Sequence, residues 1–130
     1  MNGLWRLLVG LALIALGACY ADGPKLERTY QYTGLAFTQT LELFEDGSYR
    51  HIVRQSTGNS ISTRQGSWGL DHGVIRLAYF NLVVTHKDFA EHRMGYSKVA
   101  ITNADISSGI LGAVVLTVTD ERAVEFVSID

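Results

Sequence analysis

From Tyr30 onward the chain alternates apolar and polar residues, and this period of two constrains its fold more than any other feature. In Phe37-Thr38-Gln39-Thr40-Leu41-Glu42-Leu43, Phe37, Leu41 and Leu43 share one face while Thr38, Thr40 and Glu42 share the other. Successive side chains of a strand point to opposite sides of a sheet, so this spacing predicts a half-buried strand. Glu45-Asp46-Gly47 follows as a hairpin signal, because Asp-Gly tolerates the positive φ of tight turns. Tyr49 to Gln55 is the expected partner strand. Thr57-Gly58-Asn59-Ser60 turns into a strand over Ile61 to Leu70, and Asp71-His72-Gly73 turns into one over Val74 to Val84.

The second half repeats the pattern. A short strand is expected over Lys98 to Thr102, with a turn near Asn103-Ala104-Asp105. A long strand fits Ile110 to Thr119, and Asp120-Glu121-Arg122 turns into Ala123 to Ile129. The fold class is therefore all-β: an antiparallel meander of about seven or eight strands, closing into a small barrel or packing as a sandwich. Thr85 to Gly95 interrupts it with the marks of a short helix near residues 86–94, the alternative being a polar loop. Thr85 stands as N-cap, Asp88 as the capping-box acid and Gly95 as the stop, with Phe89 and Met94 available for packing.

The first residues carry different information. Met1 to Arg6 holds one positive charge and no acid, Leu7 to Ala15 is an apolar run, and Gly17 and Ala18 close it. The run is shorter than the roughly 20 residues that span a bilayer. Its form is that of an export signal. Leu16-Gly17-Ala18-Cys19 resembles the lipobox of bacterial lipoproteins. The resemblance implies a diacylglyceryl thioether on Cys19, cleavage after Ala18 with Leu16, Gly17 and Ala18 as the recognition residues, and membrane attachment through acyl chains. Residues 1–18 are then a signal peptide, 19–28 a lipidated tether of at most about 30 Å, and 29–130 a single β-domain. Cys19 is the one cysteine, so an intramolecular disulfide is excluded. Tyr20 rather than aspartate after the cysteine leans toward the outer membrane, facing the periplasm, in a Gram-negative host.

A second resemblance covers about forty residues. Leu41 to Tyr49, Gly66-Ser67-Trp68 and Gly73-Val74-Ile75-Arg76-Leu77 look like the lipocalin-like small barrels of envelope lipoproteins. Lipocalins proper carry Gly-x-Trp on their first strand, and this chain does not. The resemblance implies a fold, which by itself fixes no function.

Composition excludes some partners. Eleven Lys/Arg face thirteen Asp/Glu, giving a formal charge of −2 with neither sign gathered in a block. Nucleic acid would need a basic stripe, so it is not an expected partner. His51, His72, His86 and His92 are read as solvated. His86 and His92 do not share a helix face at metal-ligand spacing, so no metal site and no cofactor is expected. Asp88, Glu91, His92 and Arg93 are read as the wet face of a surface helix. No serine sits in a Gly-x-Ser-x-Gly elbow, so the chain is read as non-catalytic.

Two runs stand out: Tyr79-Phe80-Asn81-Leu82-Val83-Val84 and Ile110-Leu111-Gly112-Ala113-Val114-Val115-Leu116 are apolar on both strand faces, Asn81 excepted. Either the chain covers them itself, or they meet a partner. Tyr79, Phe80, Leu82, Leu111 and Val115 are the candidate binding residues. The expected function is a membrane-tethered module that binds or regulates another envelope component. The alternatives are a carrier of a small apolar ligand and, third, an enzyme of unknown class. Inward Tyr49, Trp68 and Phe126 would fill the barrel.

Overall fold

The computed structural model describes residues 25–120 and 122–130. Eight strands run in chain order around a closed antiparallel barrel. They are β1 (Thr29–Thr33), β2 (Phe37–Leu43), β3 (Ser48–Gln55), β4 (Ile61–Asp71), β5 (Val74–Ala78), β6 (Ile101–Ser108), β7 (Val114–Thr119) and β8 (Ala123–Ser128). One helix, α1 (His86–Met94), lies between β5 and β6. The ring closes where Tyr30 and Gln31 pair with Ser128 and Val127. The expected all-β class, the meander and the short helix are all present, and the sheet is a barrel rather than a sandwich.

Alternation decides what goes inside. On β2 the residues Phe37, Gln39, Leu41 and Leu43 are buried, while Thr38, Thr40 and Glu42 between them are only partly so. Tyr49, Ile75, Leu77, Leu116 and Phe126 are buried at the centre, and half-buried Trp68 packs against them. The Trp68 indole N–H donates to the Phe44 carbonyl at 2.9 Å, and the Tyr49 hydroxyl to the Ala78 carbonyl at 2.7 Å, so both polar tips are satisfied. A small barrel of eight strands has an interior that side chains can fill, and here aromatic rings do so. Phe80 lies edge-on to Tyr49 and to Phe126, at 6.0 and 6.3 Å between ring centroids. Gly66 makes room for this: a Cβ there would come within 2.5 Å of the Tyr49 ring.

The β2–β3 and β4–β5 turns are those the sequence announces. Gly47 has φ +86° and donates to the Phe44 carbonyl at 3.1 Å, closing the β2–β3 hairpin. His72 and Gly73, both at positive φ, make the two-residue turn between β4 and β5.

Three expected strands are corrected. β5 stops at Ala78, not Val84. Tyr79 turns the chain at φ +52°, and Phe80 to Val83 run buried across the barrel mouth as an irregular segment. Apart from Asn81, that run is apolar all round because it is inserted into the interior. β6 continues through Asn103-Ala104-Asp105 to Ser108, where a turn was expected. Thr102 and Ala104 point inward, and Asn103 and Asp105 point out. Ile110 to Gly112 form a single 3₁₀ turn rather than the start of a strand, and β7 begins only at Val114.

The barrel has two distinct ends. At the near end lie the entry of the chain at Leu26–Arg28, the β2–β3, β4–β5 and β6–β7 connections, and the C-terminus. At the far end lie the β1–β2, β3–β4 and β7–β8 connections and the long excursion that carries α1.

Candidate functional site

The most unusual chemistry lies under α1 at the far end. The helix is capped as its sequence predicts. The Thr85 hydroxyl accepts from the Asp88 N–H at 3.1 Å, and the Asp88 carboxylate accepts from the Thr85 N–H at 3.0 Å. Burial works to raise the Asp88 carboxyl, but the amides of Val84 and Thr85 outweigh it and leave it below the usual carboxylate range. Gly95 ends the helix at φ +76°. Phe89 stacks on Phe37 at 5.4 Å and joins Val53 and Val83 in a small apolar cluster. Met94, expected to pack beside Phe89, is instead 74% exposed.

Beside Phe89, the helix sends His92 into the barrel. His92 and His51 are each 1% exposed, which corrects the reading of both as solvated. Glu91 is buried too, with its Oε1 lacking a hydrogen-bond partner. The wet face of the helix is therefore narrower than its sequence suggests.

The two imidazoles belong to one chain of hydrogen bonds whose direction follows from the backbone of Val83. The Gln39 side-chain N–H donates to the Val83 carbonyl at 2.5 Å, and the Val83 N–H donates to Gln39 Oε1 at 3.2 Å. This fixes the amide orientation. Gln39 Oε1 can only accept, so His51 Nε2, 2.9 Å away, must carry its proton. In a neutral imidazole the other nitrogen is then an acceptor, and His92 Nε2 donates to His51 Nδ1 at 2.9 Å. His92 Nδ1 accepts in turn from the Ser62 hydroxyl at 2.5 Å. Four elements meet in this relay: β4 gives Ser62, α1 His92, β3 His51 and β2 Gln39.

Both histidines are held neutral. Burial pushes His51 well below its usual range, with the neighbouring His92 and Arg64 adding to the effect. Burial, and then the charge of Arg64, brings His92 down to about 4. Ser62, His92 and His51 have the connectivity of nucleophile, base and orienter. Yet Ser62 is 5% exposed beneath the helix, so a substrate carbonyl has no approach in this conformation. What the relay does here is pin α1 to three strands. Every ring nitrogen of the pair is engaged, and among the described residues no three His, Cys, Asp or Glu side chains gather as metal ligands do.

The candidate binding residues fall at two separate places. At the far end, Tyr79 is 60% exposed at its left-handed turn, whereas Phe80 and Leu82 are buried, their edges lining a cleft of about 260 Å³ with Asp88, Lys98 and Asp120. At the near end, Leu111 is fully exposed and Val115 almost covered. Leu111 and Val115 were expected to share one face of a strand; the 3₁₀ turn removes Leu111 from that strand. Leu16, Gly17, Ala18 and Cys19 lie outside the described residues. Among the described residues no helix is long and apolar enough to cross a membrane.

Sequence reasoning missed the relay. His51 occupies an inward position of the β3 alternation, and that was the available signal. His92 gave none, because its burial depends on how α1 sits on the barrel. No family model matches the chain, and neither a characterised protein nor a solved structure matches it.

Proposed function

We propose that this chain is a non-catalytic lipoprotein, anchored in an envelope membrane through acyl chains on Cys19, whose barrel presents its far end to another envelope component. The observation that carries the reading is polarity: β1 starts at the near end, and α1 plugs the opposite one. A tether entering at Leu26 would hold the near end toward the membrane. The far end, with exposed Tyr79, Tyr96, Val99 and Ile101, would then face the aqueous compartment. Tyr20 favours the outer membrane as the site. The filled interior supports a surface role over carriage of an apolar ligand, since Tyr49, Phe80 and Phe126 occupy the space a ligand would need. The sealed Ser62 hydroxyl supports a binding role over a catalytic one.

Two measurements test this. The Cys19→Ser full-length protein should leave the membrane fraction or persist as the uncleaved precursor. A photo-crosslinking residue at Tyr79 should capture a discrete partner in intact cells, whereas one at Thr117, on the barrel wall, should not. Processing of Cys19→Ser together with full membrane retention would sink the anchor. Equal labelling from the two positions would sink the far-end interface.

A further inference from the structure

The β6–β7 connection combines features that work against one another in an isolated domain. Ile110 is 85% exposed and Leu111 100% exposed, the most apolar display on the near end. Leu111 is also held at φ +56°, a left-handed conformation that costs a non-glycine residue energy. Neither side chain is among the buried residues or those packed against the core, so exposure and strain bring the fold no contact in return.

The position of this tip relative to the chain's entry suggests its occupant. The Ser128 hydroxyl accepts from the Val114 N–H at 2.9 Å and from the Arg28 guanidinium at 3.3 Å. The first strand residue after the tip and the residue that precedes β1 are thus joined through one side chain. The last tether residues are folded onto the barrel as well, with Leu26 packed against the core and its carbonyl accepting from the Tyr30 hydroxyl. What remains between Cys19 and Lys25 reaches at most about 20 Å. An acylated Cys19 would therefore keep the Ile110–Leu111 tip close to the lipid surface.

We infer that Ile110 and Leu111 insert into the outer part of the bilayer as a second contact beside the acyl anchor, which sets the barrel upright. This rests on the anchoring reading of Cys19. The contact is apolar in kind. The charged groups on the neighbouring near-end segments balance, with Lys25, Arg28 and Arg76 against Glu27, Asp71 and Asp130, so no basic excess draws the tip to anionic headgroups and insertion is little affected by salt.

The test uses the full chain, purified in its processed form and reconstituted in phosphatidylcholine vesicles with or without brominated acyl chains. Leu111→Trp places a fluorophore at the tip. Leu35→Trp places one on the far-end β1–β2 loop, where the native leucine is equally exposed. The wild-type signal, which includes Trp68, is subtracted. Bromine should lower the added emission of the Leu111→Trp protein by about half, as expected for a side chain at the acyl boundary. It should leave that of the Leu35→Trp protein little changed, and high salt should alter neither result. Equal quenching in the two variants, or stronger quenching in Leu35→Trp, overturns the inference. Palmitate incorporation measured on the same samples reads the anchor separately. Label without quenching of Leu111→Trp refutes the tip alone. Quenching without label refutes the anchor and leaves the tip. Absence of both refutes both.

Discussion

The two ends of this barrel solve the problem of closure in opposite ways. The far end is sealed by an excursion of some twenty residues, which inserts Phe80 to Val83 and then lays α1 over them, fastened by buried polar bonds. The near end is closed by short hairpins and by Leu26, with Ile110 and Leu111 directed away from the fold. An apolar plug would seal the far end as well as a polar one. The relay adds orientation, since Ser62, His92, His51 and Gln39 are satisfied together in one placement of the helix. Stability should therefore depend strongly on single residues at the far end and weakly on those at the near end.

The sharpest way to break that contrast is His51→Ala. It opens a cavity and leaves Gln39 Oε1 and His92 Nε2 buried with one partner fewer, so it should cost about 4 kcal/mol in urea unfolding. A loss below about 1 kcal/mol would mean that the relay does not hold the plug.

Acid should act next, and on the far end first. In the unfolded chain histidine takes up a proton near pH 6.5, whereas folded His92 resists until about 4. The unfolded state thus binds more protons between these values. Stability should be full above pH 6.5 and fall as the pH drops, at roughly 1.4 kcal/mol per pH unit, or about 3 kcal/mol over the window from His92 alone. His51 contributes in the same direction. His92→Gln should flatten part of this slope. Denaturation at a series of pH values measures it, and a level profile from about pH 7 to about 4.5 would contradict a neutral buried pair.

Near-end changes should be milder. Gly47→Val forces a β-branched residue into φ +86° and should cost roughly 1–2 kcal/mol. Leu111→Gly relieves the left-handed leucine without removing a core contact, so the melting temperature should hold or rise, by no more than about 1 kcal/mol of stability. A marked loss there would show that the tip is part of the fold and would undercut its proposed role at the membrane.

The legible parts of the structure were those governed by local rules. Alternation placed β2 and β8, glycine chemistry placed the hairpins at Gly47 and Gly73 and with the first of them β3, and the capping box placed α1 at His86–Met94. Where the reading failed, a nonlocal requirement had overridden a local preference. Asn103-Ala104-Asp105 has turn composition but lies in β6, because closing the ring requires partners for both β5 and β7. Ile110-Leu111 has strand composition but lies in a turn, because Val114 pairs with Ser108 across β6 and β7 and residues 109–113 must reverse the chain between them. Tyr79 to Val84 looked like a strand covered on both faces; Phe80 to Val83 are indeed covered all round, but as a plug. The histidines were the largest omission. A histidine's burial depends on whether distant residues supply a donor and an acceptor for its two nitrogens, and composition carries no trace of that.

Closure of the sheet has a consequence for molecules that share a surface. Copies of a protein confined to a plane meet far more often than the same copies dispersed in volume. An open sheet under those conditions offers a row of unpaired amides and carbonyls on which neighbours can add strand to strand. Here the pairing of Tyr30 and Gln31 with Ser128 and Val127 closes the ring and leaves only Tyr32, Thr33 and Ala123 to Phe126 without a partner across that seam. If the barrels are anchored side by side as proposed, a neighbour meets only that short stretch of edge rather than a whole open strand.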